Sequence, residues 1–108
     1  MHTSISDFRM PDEEQVARAV ETFRMLSDPT RIKILWALLQ GETSVACLAD
    51  LAAVTPAVVS QHLAKLRLAG LVKGRREGTF VYYSPTDPEA LGVLDQALSG
   101  PASEPARR

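Results

Sequence analysis

Cysteine is nearly missing from this chain, with Cys47 the one example in 108 residues. A lone thiol excludes an intrachain disulfide framework and points to a reducing, cytoplasmic setting. Long apolar runs are missing too. None approaches the roughly 20 residues that a membrane span requires, and the polar start His2-Thr3-Ser4 has no apolar signal-peptide segment. An excess of either charge is the third absence: 12 Lys+Arg against 13 Asp+Glu leave a formal charge of −1. Taken whole, that balance argues against a nucleic-acid partner. Nor is there a nucleophile–base pair, a phosphate loop or a carboxylate cluster, so an enzyme is not expected and no cofactor is implied. The length fits one small soluble domain, since a domain usually takes about 100–200 residues.

The charge is unevenly placed. Residues 1–28 carry Asp7, Asp12, Glu13, Glu14, Glu21 and Asp28 against Arg9, Arg18 and Arg24, a balance of −3. Residues 55–84 carry Lys65, Arg67, Lys73, Arg75 and Arg76 against Glu77, a balance of +4. Residues 85–108 return to −2. A basic middle between acidic ends is the polarity expected of a chain that turns one surface to phosphates. A solvated charge cluster with no partner would look the same on charge alone.

Residues 1–10 lack periodicity and 100–108 are rich in breakers, so both are expected as disordered ends around an ordered domain at 11–99. The first helix is expected after Pro11, with acids at its start and the stripe Val16, Ala19, Val20, Phe23 and Leu26. Asp28-Pro29 starts a second helix that Gln40-Gly41 ends. Ser44 caps a short third, and Thr55-Pro56 starts a fourth that Gly70 closes. Two β-prone runs, 71–76 and 79–84, flank Glu77-Gly78 as a hairpin. Asp87-Pro88 opens a last helix that is apolar round most of its circumference.

Two short helices joined by a tight turn, the second followed by a β-hairpin, make a winged helix-turn-helix. The fold expected is mainly α, with about five helices and a two-stranded wing. On the fourth helix Val59, Leu63 and Leu66 share the inward face, with Gly70 below them. Ala57, Gln61, Ala64, Lys65 and Leu68 lie opposite, flanked by Thr55, Val58, Ser60 and His62. Gln61 can hydrogen-bond an adenine edge through both amide groups, while Ala57 and Val58 can touch thymine methyls. Thr55, Ser60 and Lys65 suit phosphate oxygens. Lys73, Arg75 and Arg76 sit by the hairpin tip, where a thin ribbon can reach phosphates or a minor groove. Charges on an exposed strand edge also discourage aggregation, and that role is compatible with the first.

Three stretches resemble a known family. Leu26-Ser27-Asp28-Pro29-Thr30-Arg31-Ile32-Lys33-Ile34-Leu35 resembles the opening of ArsR/SmtB-type repressors, and Ser60-Gln61-His62-Leu63-Ala64-Lys65-Leu66 looks like their recognition helix. Gly78-Thr79-Phe80-Val81-Tyr82-Tyr83 looks like their wing, and the wording is similar to the actinobacterial nickel/cobalt-sensing branch. The resemblance spans about 12–98 and implies a homodimeric winged-helix repressor released from its operator by a metal or another inducer. It implies a DNA role for His62. It also implies, for members with a thiolate site, a cysteine at the start of the third helix, where this chain has Ser44. Cys47 falls three residues later and is expected as a buried reduced thiol. Members with the other site type use histidine, aspartate and glutamate of the last helix. That helix holds Asp87, Glu89 and Asp95 without histidine, and its first acids suit the helix N-terminus instead. No metal site is therefore expected, and the inducer is left open.

One small core is marginal alone. The dimer face is expected to use Val16, Ala19, Val20 and Phe23 of the first helix with Leu91, Leu94 and Leu98 of the last. The function expected is a transcriptional repressor that binds a palindromic double-stranded operator as a homodimer. The alternative is a winged-helix module that docks a protein and reads no DNA.

Overall fold

The computed structural model describes residues 4–99, so the tail expected at 100–108 and residues 1–3 of the expected arm lie outside it. Within that arm, Ser4–Asp7 form one 3-10 turn where irregular chain was expected. Helix α1 (Glu13–Leu26) starts at Asp12, whose carboxylate accepts from the Gln15 N–H while the Gln15 side chain accepts from the Asp12 N–H. This reciprocal capping box satisfies donors that a helix start otherwise leaves bare. Helix α2 (Pro29–Gln40) takes Asp28 as its cap and Pro29 at its first position. Ser44 caps α3 (Val45–Ala52) and Thr55 caps α4 (Pro56–Leu68), again with proline first. These starts fall where the sequence places its short oxygen-bearing side chains, because those oxygens meet the free N–H groups locally.

The sheet has three strands where two were expected. As an N-cap, Ser44 must leave helical geometry, and its extended backbone (φ −101°, ψ 167°) continues into Thr43. That short strand, β1 (Thr43–Ser44), pairs antiparallel with Tyr83 and Tyr82. Strands β2 (Val72–Glu77) and β3 (Phe80–Pro85) form the hairpin, and the strand order is β1-β3-β2. Gly78 takes φ +65° at the first of the two turn residues, the position that hairpin turns of this length give to glycine. A two-residue strand has no periodicity to detect, so only its partner reveals it.

The last helix is also divided. Pro88–Leu91 form a 3-10 turn and α5 (Gly92–Leu98) follows. Leu91 and Leu94, expected at a dimer face, are instead buried in the chain's own core at 1% and 3% exposure. The 3-10 turn rolls both onto the inner side, against a core built from Ile34, Leu35 and Leu38 of α2, Leu48 of α3, and Val59, Leu63 and Leu66 of α4. Cys47, expected buried, is exposed on the first turn of α3. Leu48 and Ala49 take the inward positions there.

Among the described residues, no single helix is long and apolar enough to cross a membrane, and α3 and α4 bend by 108° at their junction. That angle falls in the range of a helix-turn-helix. The turn depends on Ala53, which closes α3 in the left-handed region at φ 59°, ψ 45°. A Cβ in that region costs roughly 1 kcal/mol that glycine avoids. Ala53→Gly is accordingly expected to raise stability by about 0.5–1 kcal/mol, read as a higher urea midpoint at unchanged slope. A fall in the midpoint would mean that the methyl contributes packing that outweighs the backbone strain.

Candidate nucleic-acid interface

Helix α4 separates its two faces cleanly. Val59, Leu63 and Leu66 are 0%, 1% and 0% exposed and seat the helix on the core. Thr55, Ala57, Ser60, Gln61 and Lys65 are exposed on the opposite side, with Val58 half-buried between. The short side chains on the exposed side let the helix backbone approach a flat or grooved partner closely. Thr55 Oγ1 is already engaged, accepting from the Val58 N–H at 3.2 Å. Lys65 borders a shallow groove with Glu21, Met25, Leu68 and Ala69, between α1 and α4.

The wing does not hold its cations alike. Arg75 donates from Nη2 and Nε to the two carboxylate oxygens of Glu42 at 2.9 and 3.1 Å, and from Nη1 to Glu77 at 3.0 Å. Its guanidinium lies over the Tyr82 ring, 5.3 Å from the centroid. The register explains this reach: Arg75 pairs with Tyr82, and Tyr82 pairs with Ser44, so the side chain crosses one strand to meet the residue just before β1. The Arg75 hydrogen bonds hold the Glu42 carboxyl below its ordinary range, and Glu42 and Glu77 push the Arg75 pKa up. Arg75, expected to reach toward DNA, is thus drawn back onto the sheet. Glu42 lies outside the stretch 55–84, so the +4 balance had counted Arg75 as free. Among the described residues, no ion pair involves Lys65, Lys73 or Arg76.

His62, expected at the interface, turns inward. Its side chain is only 18% exposed, with Nε2 3.9 Å from Asp28 Oδ2. Its Nδ1 stands 3.3 Å from Arg31 Nη1. Asp28 caps α2 by accepting from the Arg31 N–H at 3.0 Å. That bond, with the Arg31 guanidinium charge behind it, lowers the Asp28 carboxyl pKa. Neither Asp28 nor Arg31 was singled out as a partner of α4, because they stand some thirty positions away and only the fold joins them.

Two of the positions where the family resemblance places metal ligands serve as helix caps in this chain. Ser44 Oγ is committed as the cap of α3, accepting from the Cys47 N–H at 3.3 Å. Asp87 accepts from the Glu89 N–H at 3.2 Å, completing a helix start. Among the described residues, no three His, Cys, Asp or Glu side chains converge.

Comparison with known proteins gives this architecture a family. A family model described as "Bacterial regulatory protein, arsR family" matches residues 28–73, from the α2 cap to the start of the wing. The HTH-type transcriptional regulator KmtR of Mycobacterium tuberculosis is 51% identical over 74 residues, covering 68% of this chain and 56% of its own length. The chain therefore spans little more than half of that relative. HlyU of Vibrio cholerae, named a transcriptional activator, is 34% identical over 83 residues, covering 77% of each. Its solved structure superposes with a TM-score of 0.72 at 33% identity, covering 78% of this chain and 91% of HlyU. The homodimeric winged helix-turn-helix domain of Mb0332 from Mycobacterium bovis superposes with a TM-score of 0.68 at 26% identity, covering 82% and 84%. In sequence, in its helix-turn-helix and in its wing, the chain belongs to the arsR family of bacterial regulatory proteins.

Proposed function

We propose that the chain is a homodimeric, sequence-specific DNA-binding repressor that occupies a palindromic operator. The observation that carries this is the two-faced α4. Its apolar side is sealed into the core, while Ala57, Ser60, Gln61 and Lys65 stand outward beyond a 108° turn. Such a helix can enter a major groove with its N-terminal half, and Gln61 can hold an adenine by two hydrogen bonds. The unpaired Lys73 and Arg76 of the wing suit the flanking phosphates. A protein-docking module is the weaker reading, because an apolar patch is not what α4 offers at that end.

The dimer has its own support. Val16, Val20 and Phe23 are 40%, 48% and 56% exposed along one stripe of α1, and Ala19 beside them is exposed as well. On α5, Leu98 is 43% and Val93 39% exposed. With Leu91 and Leu94 already in the core, the proposed face consists of the α1 stripe with Leu98 and Val93. For both α4 helices to enter one face of a palindrome, a two-fold axis through it must set them about one DNA turn, 34–36 Å, apart.

The test is selection of duplexes from a randomised pool, followed by mobility shift on the recovered sequence and a reporter that carries it. An enriched palindrome and lowered transcription are expected. No enrichment would remove the DNA reading, whereas raised transcription, as the name of HlyU would have it, would overturn repression alone. Gln61→Ala is expected to cost about 1–3 kcal/mol on the selected site and to relax preference at one base pair. Equal losses on selected and random DNA would contradict base reading.

Glu42→Gln addresses the wing. The Arg75–Glu42 pair is solvent-exposed, so losing it should barely change folding. With the Glu42 charge gone, only Glu77 still pairs with Arg75, and the guanidinium becomes more available to a phosphate. Affinity for random and selected DNA should both rise, and the slope of log K against log salt should steepen by about 0.9. An unchanged slope in titrations across a salt series would show that Arg75 stays on the sheet.

A further inference from the structure

His62 lies on the DNA-facing helix but points away from where DNA would lie, and its partners explain why. Arg31 carries only donors, so the short contact from Nη1 requires His62 Nδ1 to accept. The ring proton then sits on Nε2, the nitrogen that faces the Asp28 carboxylate at 3.9 Å. The same guanidinium donates from Nε to the Met25 carbonyl at 2.7 Å, on the last turn of α1. One arginine therefore joins the end of α1 to the middle of α4, and Asp28 fixes that arginine's backbone at the start of α2.

We propose that His62 is a positioning residue: through Arg31 and Asp28 it locks the orientation of α4 to the end of α1, the helix that carries the dimer face. The inference rests on the DNA-binding reading above. Its consequence is that His62 sets the spacing and tilt of two recognition helices without touching a base or a phosphate. Small changes in that tilt misplace Gln61 on both half-sites at once. Contact with random DNA depends on charge and tolerates them.

The test uses the full chain and the duplex recovered by selection. His62→Ala and Arg31→Ala should each weaken binding to that duplex about tenfold, a size typical of coupling between contacting residues. The double variant should lose no more than either single one, and affinity for random DNA should stay unchanged. Asparagine places a carbonyl oxygen where Nδ1 stands, whereas glutamine reaches to the Nε2 position. His62→Asn should therefore retain wild-type binding within about threefold, and His62→Gln should behave like alanine. Additive losses, or an equal fall on random DNA, would overturn the proposal in favour of direct contact by His62. Nitrogen NMR of the wild-type ring provides a measurement independent of variant folding. The Nε2–H tautomer is expected, and a proton on Nδ1 would exclude the Arg31 bond. If selection recovers no sequence but the tautomer is as expected, the DNA reading fails while the α1–α4 lock stands as a structural one.

Discussion

Replacing Phe23 with glutamate is expected to split the proposed homodimer and lower operator affinity by about 10²–10⁴-fold. That is the advantage lost when two linked half-site contacts become separate binding events. Phe23 is 56% exposed in the single chain and belongs to an unbroken α1 stripe with Val16 and Val20. At an isologous interface the same patch meets itself, so two added carboxylates would face each other or lose their water together. The chain's own core contains no part of Phe23, so secondary structure should survive. Sedimentation would show a monomer, and the melting temperature would cease to depend on protein concentration. A dimer of unchanged size would place the interface elsewhere.

Leu63→Ala is expected to cost about 2–5 kcal/mol, enough to bring a small domain close to unfolding. Leu63 is 1% exposed and stands on the inward face of α4 between Val59 and Leu66. Truncation leaves a cavity beneath the middle of the recognition helix, where rigid neighbours from α2 and α3 cannot close it. Chemical denaturation should show the loss directly. DNA binding should weaken chiefly through the smaller folded fraction, and excess DNA should recover it by mass action. Ala64→Ser, one residue along on the exposed side, is the control that should leave stability unchanged. A loss below about 1 kcal/mol at Leu63 would mean that the helix is less firmly seated than its burial indicates.

The two variants probe features of different legibility. Leu63 was placed inward from the spacing of Val59, Leu63 and Leu66 alone, because a 3.6-residue period aligns them before any partner is known. The same holds for the Asp28-Pro29, Ser44 and Thr55-Pro56 helix starts. Leu91 and Leu94 defeated that logic. A segment apolar on most sides has no preferred face by pattern, and the 3-10 turn at Pro88–Leu91 chose the side that faces inward. Cys47 was assigned by the habits of cysteine, yet Leu48 and Ala49 occupied the core positions beside it.

Local chemistry written in consecutive residues, namely caps, prolines, turn glycines and helical stripes, determined the helix-turn-helix, the wing and the face of α4 that looks outward. Each depends on interactions within about one helical turn or across a two-residue hairpin loop. Tertiary structure alone decided which cations are ion-paired and which side chains His62 meets. Arg75 meets Glu42 and His62 meets Arg31 across separations of 33 and 31 residues. No local pattern encodes such pairings, since they exist only once strand order and helix packing bring distant side chains to one place. The acidic-basic-acidic profile foretold a polarised surface; the fold decided that Arg75 is held by Glu42 and Glu77 while Lys73 and Arg76, among the described residues, have no ion pair.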